Sequence, residues 1–283
     1  MKKDLTRKQQ KKALKLMMFL KKKRCCRIKG RACADGRSQR LYTKKEDAAS
    51  PTAALESIML TSVIDAMERR DVATVDIVGA FLRTDCDEDV WLMLDGALAE
   101  LMVDVAPEIY SKYVTIGRKN KPVLYVKLKK ALYGCLKSAL LFYKKLSNDL
   151  INMGFTLNPY DPCVANKTIN GKQMTIVWHV DDLKISHVDP EEVTKMCNKL
   201  KELYGEIVVH RGKVHDYLGM QLTFKDDGKL DVNMVPYVNE TSKMFPEELN
   251  GIVRTPAADC LLNVNPNGIK LDTKKTVPHS SCT

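Results

Sequence analysis

The sequence predicts an α+β chain with a mostly antiparallel sheet, and three observations carry that reading. Met174-Thr-Ile-Val-Trp-His-Val180 and Leu183-Lys-Ile-Ser186 are apolar runs joined by Asp181-Asp182, which reads as strand, acidic turn, strand. The segments follow one another as helix, strand, strand, helix, acidic hairpin, helix and strands, without the alternating βα units of a doubly wound sheet. At 283 residues and 45% hydrophobic composition, the chain is long and apolar enough to bury a core.

Taken in order, residues 5 to 23 read as a basic helix with a narrow apolar stripe. Arg27 to Ala34 reads as a strand ending at Asp35-Gly36, a hairpin-turn signal. That turn would set Lys29, Arg31, Arg37 and Arg40 together, either around a phosphate or in plain solvent. Ser50-Pro51 supplies an N-cap and first-turn pair, and Ala54, Leu55, Ile58, Met59, Val63, Ile64 and Met67 follow at helical spacing. Val72 to Val78, Val90 to Leu94 and Val123 to Leu128 read as strands, and Leu132 to Met153 as an amphipathic helix closed by Gly154. After the acidic turn, Pro190 to Tyr204 reads as a helix with Asp189 as N-cap and Glu191-Glu192 favouring its dipole. Strands are then expected at Glu206 to His210, Tyr217 to Phe224 and Lys229 to Met234, the last two joined through Asp226-Asp227-Gly228. Residues 235 to 283 read as loop-rich.

The net charge of +11 sits at one end. Residues 1 to 31 hold 14 Lys and Arg against the single acid Asp4, whereas the other 252 residues hold 32 basic and 34 acidic side chains. A terminal basic segment suits a polyanionic partner. Nine cysteines show no CxxC spacing, which argues against a disulfide scaffold or a zinc module, and Cys25-Cys26 reads as an incidental pair. The apolar cluster Leu16 to Leu20 is far shorter than a membrane span. A cytoplasmic or nuclear protein with no membrane partner is the expectation, with Lys21 to Arg24 as a candidate nuclear localisation patch. His179, His187, His210, His215 and His279 lack ligand spacing and read as structural or surface residues.

Two acidic pairs invite comparison. Asp226-Asp227 precedes Gly228 and lies between Lys225 and Lys229, as a solvated turn should. Asp181-Asp182 has no glycine and emerges from strands made to be buried, so its charges need a metal or strong donors. Asp76, inside Ala73-Thr-Val-Asp-Ile-Val-Gly-Ala-Phe81, is another acid in an apolar strand, and side-by-side strands would converge Asp76 and Asp181. Hard oxygen ligands of this kind suit Mg2+. Because side chains alternate along a strand, one principal ligand is expected from Asp181-Asp182. Structural hairpin turns are the competing reading.

Four motifs occur together: Asp76-Ile-Val-Gly-Ala-Phe81-Leu, Lys127-Leu-Lys-Lys-Ala-Leu-Tyr-Gly134, His179-Val-Asp-Asp182 and Tyr217-Leu-Gly-Met220. Their order and spacing resemble the reverse transcriptases of copia-type LTR retrotransposons, and the resemblance runs from about Leu14 to the end, including Lys29-Gly-Arg31. It implies a right-hand polymerase with fingers and palm over 13–235, a basic arm over 1–12 and a truncated thumb over 236–283. It implies catalytic, metal-binding roles for Asp76, Asp181 and Asp182, with two Mg2+ ions or Mn2+ in their place. Phe81 would be the aromatic gate against a ribose 2′-OH, Lys29 and Arg31 the cations near the incoming triphosphate, and Tyr133 and Gly134 part of the nucleotide and template pocket. Tyr217, Leu218, Gly219 and Met220 would form the primer grip.

The implied activity is RNA-directed DNA polymerisation, with an RNA template, a DNA primer and dNTPs as partners. Lys213 is a candidate general acid for pyrophosphate. His179 replaces the usual Tyr, and Lys137 stands where many members carry Gln. The segment after the last palm strand is too short for a thumb and an RNase H domain, so a fragment of a polyprotein that also encodes RNase H and integrase is expected. A catalytically inactive nucleic-acid-binding remnant is the alternative.

Overall fold

The computed structural model describes residues 5–22, 26, 28–117 and 120–244. It divides into two units, Met1–Met234 and Val235–Thr283. The first unit runs α1 (Arg7–Lys12), β1 (Leu14–Lys22), β2 (Ile28–Ala34), a 3-10 turn (Gly36–Leu41), α2 (Leu55–Met67), β3 (Asp71–Ile77), a second 3-10 turn (Ala80–Arg83), β4 (Trp91–Asp95), α3 (Ala97–Val105), α4 (Pro107–Tyr110), a third 3-10 turn (Ser111–Tyr113), β5 (Thr115–Ile116) and β6 (Pro122–Lys127). It continues through α5 (Ser138–Asn152), β7 (Thr156–Leu157), β8 (Val164–Ile169), β9 (Lys172–His179), β10 (Asp182–His187), α6 (Pro190–Tyr204), β11 (Ile207–Arg211), β12 (Val214–Tyr217), β13 (Met220–Phe224) and β14 (Leu230–Asn233). In the second unit the described element is α7 (Val235–Ser242). The α+β class read from the sequence holds.

Three sheets organise the first unit. A six-stranded sheet in the order β11-β3-β10-β9-β8-β7 is antiparallel at every pairing. A five-stranded sheet, β2-β1-β4-β6-β5, contains one parallel pair, β1 with β4. A three-stranded sheet joins β12, β13 and β14. The main core lies around the six-stranded sheet, and a smaller one, built on Leu14, Leu92, Leu94 and Leu124, lies in the five-stranded sheet.

Both faces of the six-stranded sheet are covered. Thr74 and Lys184 are register partners and share a face; Thr74 meets His215 of β12, and Lys184 meets Asp65 of α2. On the other face Ala73 lies opposite Arg211, whose guanidinium bonds Thr194 of α6 at 2.9 Å. This double covering explains why Met174 to Trp178 is buried without alternation. Helix α6 begins as its sequence requires, with the Asp189 side chain accepting from the Glu191 N–H at 2.9 Å and Pro190 in the first turn.

Several expectations are corrected. The basic segment is not one helix: Thr6 and Gln9 form a capping box on the short α1, and Leu14–Lys22 is a strand paired along seven positions with Ile28–Ala34. Its apolar run is contiguous, and pairing with β2 outweighs helical propensity. The Asp35-Gly36 hairpin turn is absent, because Asp35 caps the 3-10 turn and clasps Arg37 at 2.7 and 2.8 Å. Arg37 is thereby paired, and its side-chain hydrogen bonds hold Asp35 down at a pKa of about 2. Ser50 does not cap α2, which starts five residues later after Ala54; the Ala54 N–H donates to Asp161 at 2.9 Å.

Helix α5 starts at Ser138 rather than Leu132, since residues 132 to 137 are held in turns by bonds such as Cys135 N–H to Leu132 C=O. Tyr217 to Phe224 is two strands, not one, broken at Leu218-Gly219. The loop-rich reading of 235–283 misses α7. Residues 245–283 of that segment, with His279, lie outside the described residues, as do 1–4 of the basic arm and Lys23, Arg24 and Cys25. Among the described residues, no helix is long and apolar enough to cross a membrane.

Candidate active site

Strand β3 carries Asp76 beside β10, and Asp182 is its register partner on the same face. Asp181 lies one residue earlier, in the two-residue loop that joins β9 to β10, with His179 opposite Asp182. The strand pairing expected to set Asp76 beside Asp181 instead puts Asp182 directly across the ladder from Asp76, with Asp181 at the bend. The alternation argument for one principal ligand does not apply, because Asp181 is not in a strand. Val180 turns this loop at φ 59°. Only the first loop residue has positive φ, a position that favours glycine and strains a β-branched side chain.

The three carboxylates sense one another. Asp76 and Asp182 are both exposed to solvent, and Asp76 is held above the ordinary aspartate pKa first by partial desolvation and then by the Asp181 charge, with Lys29 and Arg31 pulling it down. Partial desolvation also raises Asp182, followed by Asp181 and Asp76, while His179 opposes them. These couplings place the β2 cations within electrostatic reach of Asp76. Lys29 and Arg31 are two residues apart on β2, so they share a face of the hairpin and lie opposite Lys21 and Phe19.

Phe81 and Tyr133 stand together beside these acids. Phe81 is in the 3-10 turn after β3, which Gly79 enters at φ 66°. It is only 7% exposed, and its ring centre lies 4.3 Å from that of Tyr133. The Tyr133 hydroxyl donates to Asp181 Oδ2 at 2.9 Å. Burial, then the neighbouring carboxylate, pushes the Tyr133 pKa up, so the phenol keeps its proton and serves as a hydrogen-bond donor. Gly134, at φ 88°, meets the end of β2: a Cβ there would lie 2.0 Å from the Ala34 carbonyl oxygen, and one on Gly36 would lie 2.0 Å from that of Gly134. A 2.8 Å bond from Ala34 N–H to Tyr133 C=O closes this joint. The structure thus gives Gly134 a backbone-packing reason to be glycine.

Tyr217 and Met220 pair across the β12–β13 hairpin, and Leu218 and Gly219, at φ 50° and 79°, form its loop. The buried Tyr217 hydroxyl donates to the Asp182 carbonyl at 3.2 Å, fastening this hairpin to the acidic one. A cleft of about 170 Å³ lies here, lined by Asp76, Asp182, His210, Asp216, Tyr217 and Leu218 among others. His210 and Asp216 have no sequence signal beyond edge-strand alternation. Lys213 does not line the cleft, and Asp226 holds its ammonium at 2.5 and 2.6 Å. Lys137 is paired with Glu88.

Among the described residues, no group of three or more His, Cys, Asp or Glu side chains is arranged around one ion-sized point. The donors present are nevertheless hard carboxylate oxygens whose partial desolvation and mutual repulsion keep Asp76 and Asp182 raised despite Lys29, Arg31 and His179. That set fits Mg2+, which commonly takes one or two carboxylates and completes its shell with water and substrate phosphates.

The model of the family described as reverse transcriptase (RNA-dependent DNA polymerase) matches residues 5–257. The chain is 23% identical over 249 residues to the retrovirus-related Pol polyprotein from transposon TNT 1-94 of Nicotiana tabacum, a match covering 86% of this chain and 17% of that one. It is 23% identical over 195 residues to the corresponding polyprotein from transposon RE1 of Arabidopsis thaliana, covering 69% and 12%. Among solved structures, it resembles telomerase from Candida tropicalis with a TM-score of 0.42 at 10% identity, covering 84% of this chain and 46% of that one. The chain spans less than a fifth of the length of these two polyproteins and belongs to the reverse transcriptase (RNA-dependent DNA polymerase) family, related to copia-type LTR-retrotransposon Pol polyproteins.

Proposed function

We propose that this chain is the RNA-directed DNA polymerase module of a copia-type retrotransposon, extending a DNA primer on an RNA template with dNTPs. The observation that carries the reading is the placement of Asp76 and Asp182 as register partners with Asp181 at the adjoining bend. In this reading the six-stranded sheet is the palm and the five-stranded sheet belongs to the fingers. Residues 1–12 are then a basic arm, 13–235 fingers and palm, and 236–283 the beginning of a thumb.

Asp76, Asp181 and Asp182 would hold two Mg2+ ions, whose chemistry is to activate the attacking primer oxygen and stabilise the leaving pyrophosphate. Lys29 and Arg31 offset the triphosphate charge from β2. Phe81 and Tyr133 border the sugar of the incoming nucleotide, and the Tyr217–Met220 hairpin orients the primer end. The direct test is Mg2+-dependent extension of a DNA primer on an RNA template. Wild type should extend and Asp181→Asn should not; equal extension by both removes the assignment.

A second reading, a catalytically silent nucleic-acid-binding remnant, is favoured by the absence of a three-ligand cluster among the described residues. It predicts primer-template binding without incorporation at any Mg2+ or Mn2+ concentration. If six phosphates are contacted, affinity falls roughly 10³-fold between about 50 and 200 mM salt.

A further inference from the structure

Asp181 stands at a bend, and among the described residues the Tyr133 hydroxyl is the only hydrogen-bond donor to its carboxylate. The donor is held in place from behind. Its main-chain carbonyl is bonded to Ala34, the next residue is locked against the Ala34 backbone, and its ring lies on Phe81. The backbone cannot withdraw without opening the joint with β2, so rotation of the half-buried side chain is the available way to release Asp181. A divalent cation and a phenol O–H compete for the same oxygen lone pairs, because an oxygen bound to a cation is a poorer acceptor.

We infer that Tyr133 is a positioning residue that gates Asp181: its hydroxyl occupies Oδ2 in the cation-free protein and is displaced when a divalent cation takes that oxygen. The proton stays on the phenol throughout, and no bond other than the hydrogen bond is broken. Displacement also uncovers the Phe81 ring, so cation binding and exposure of the sugar-facing aromatic become one event. The inference rests on the reading of Asp181 as a cation ligand.

The test is a titration of the full chain with Mn2+, free ion being read by electron paramagnetic resonance without nucleic acid or nucleotide. Wild type, Tyr133→Phe and Asp181→Asn are compared, with circular dichroism verifying the fold. Tyr133→Phe keeps the ring on Phe81 and removes only the competing donor. It should bind Mn2+ roughly tenfold more tightly than wild type, as loss of a charge-assisted hydrogen bond allows, while Asp181→Asn should lose the site. Equal or weaker binding by Tyr133→Phe, with Asp181→Asn still defective, overturns the gate alone, since a tyrosine that merely orients a bound ligand would strengthen binding. Asp181→Asn binding as wild type does, or no site-specific Mn2+ in any of the three proteins, overturns the ligand reading itself.

Discussion

Two hairpins in this chain carry the same dipeptide. In Asp181-Asp182 the loop is turned by a valine, and both residues are coupled to Asp76 and to each other. In Asp226-Asp227 the turn passes through Gly228 at φ 83°, with Lys213 and Lys229 clasping the two carboxylates. Each pair is followed by a lysine two residues after its second aspartate. Lys229 reaches back to Asp227 at 2.7 Å, whereas Lys184 is buried and paired with Asp65 of α2. The difference lies in whether lysines clasp the acids: among the described residues no Lys or Arg forms a salt bridge with Asp181 or Asp182, which is what the proposed metal-binding role requires.

The largest test of that contrast is catalytic. Asp76→Asn and Asp181→Asn should each lower primer extension by on the order of 10² to 10³-fold, as loss of a group aimed at developing charge does. Asp226→Asn and Asp227→Asn should stay within about twofold of wild type in the same assay. A comparable loss in both hairpins would erase the distinction.

Next come the lysines. Lys184→Met leaves buried Asp65 with Arg70, at 3.7 Å, as its remaining cation and should cost about 3 kcal/mol in chemical denaturation. The double variant with Asp65→Leu should recover part of that loss, since buried Arg70 then keeps Glu68 alone as its carboxylate partner among the described residues. Lys229→Met, removing a surface pair, should change stability by less than about 1 kcal/mol.

Loop strain gives a smaller effect of opposite sign in the two turns. Val180→Gly should gain about 1 kcal/mol and Gly228→Val lose about 1 to 2 kcal/mol, because only glycine is at ease with positive φ. Equal and small changes would mean that neither loop is strained.

The finest distinction is pH dependence in metal-free buffer. The folded pKa of Asp182 is raised from 3.8, so its charge opposes folding fully above the folded pKa and not at all below the unfolded one. Asp182→Asn should therefore raise Tm at pH 7, with the gain fading as the pH falls towards 3.8. Asp227 is lowered from 3.8 by its hydrogen bonds to Lys229, so its contribution is present above that value and lost as pH falls through the folded pKa. Asp227→Asn should lower Tm at pH 7, and that deficit should fade on acidification.

The contrast between the two acidic pairs was legible in sequence, since Gly228 and the flanking lysines announce one turn and the apolar neighbours of Asp181 the other. Helix α6 was equally plain, because Asp189, Pro190 and the two glutamates act locally. Strand β1 was not: its identity depends on pairing with β2, and its lysines read as a helical face until that partner is placed. The same holds for the Tyr133 bond to Asp181, which joins residues 48 apart, and for Asp65 with Lys184, 119 apart. Spacing along a chain reports local preference, whereas these contacts exist only after the sheets assemble.

The interlocked pair Gly36 and Gly134 has a consequence for any mutational survey of this chain. Each excludes a side chain because the other's backbone segment occupies that space. Both positions should be intolerant in a saturation library even when the selection asks only for folded, soluble protein. Depletion at Gly134 would then report a joint between two pieces of main chain, while depletion that appears only under selection for DNA synthesis would mark the chemistry. A library scored both ways separates the joint from the active centre without any prior assignment of either.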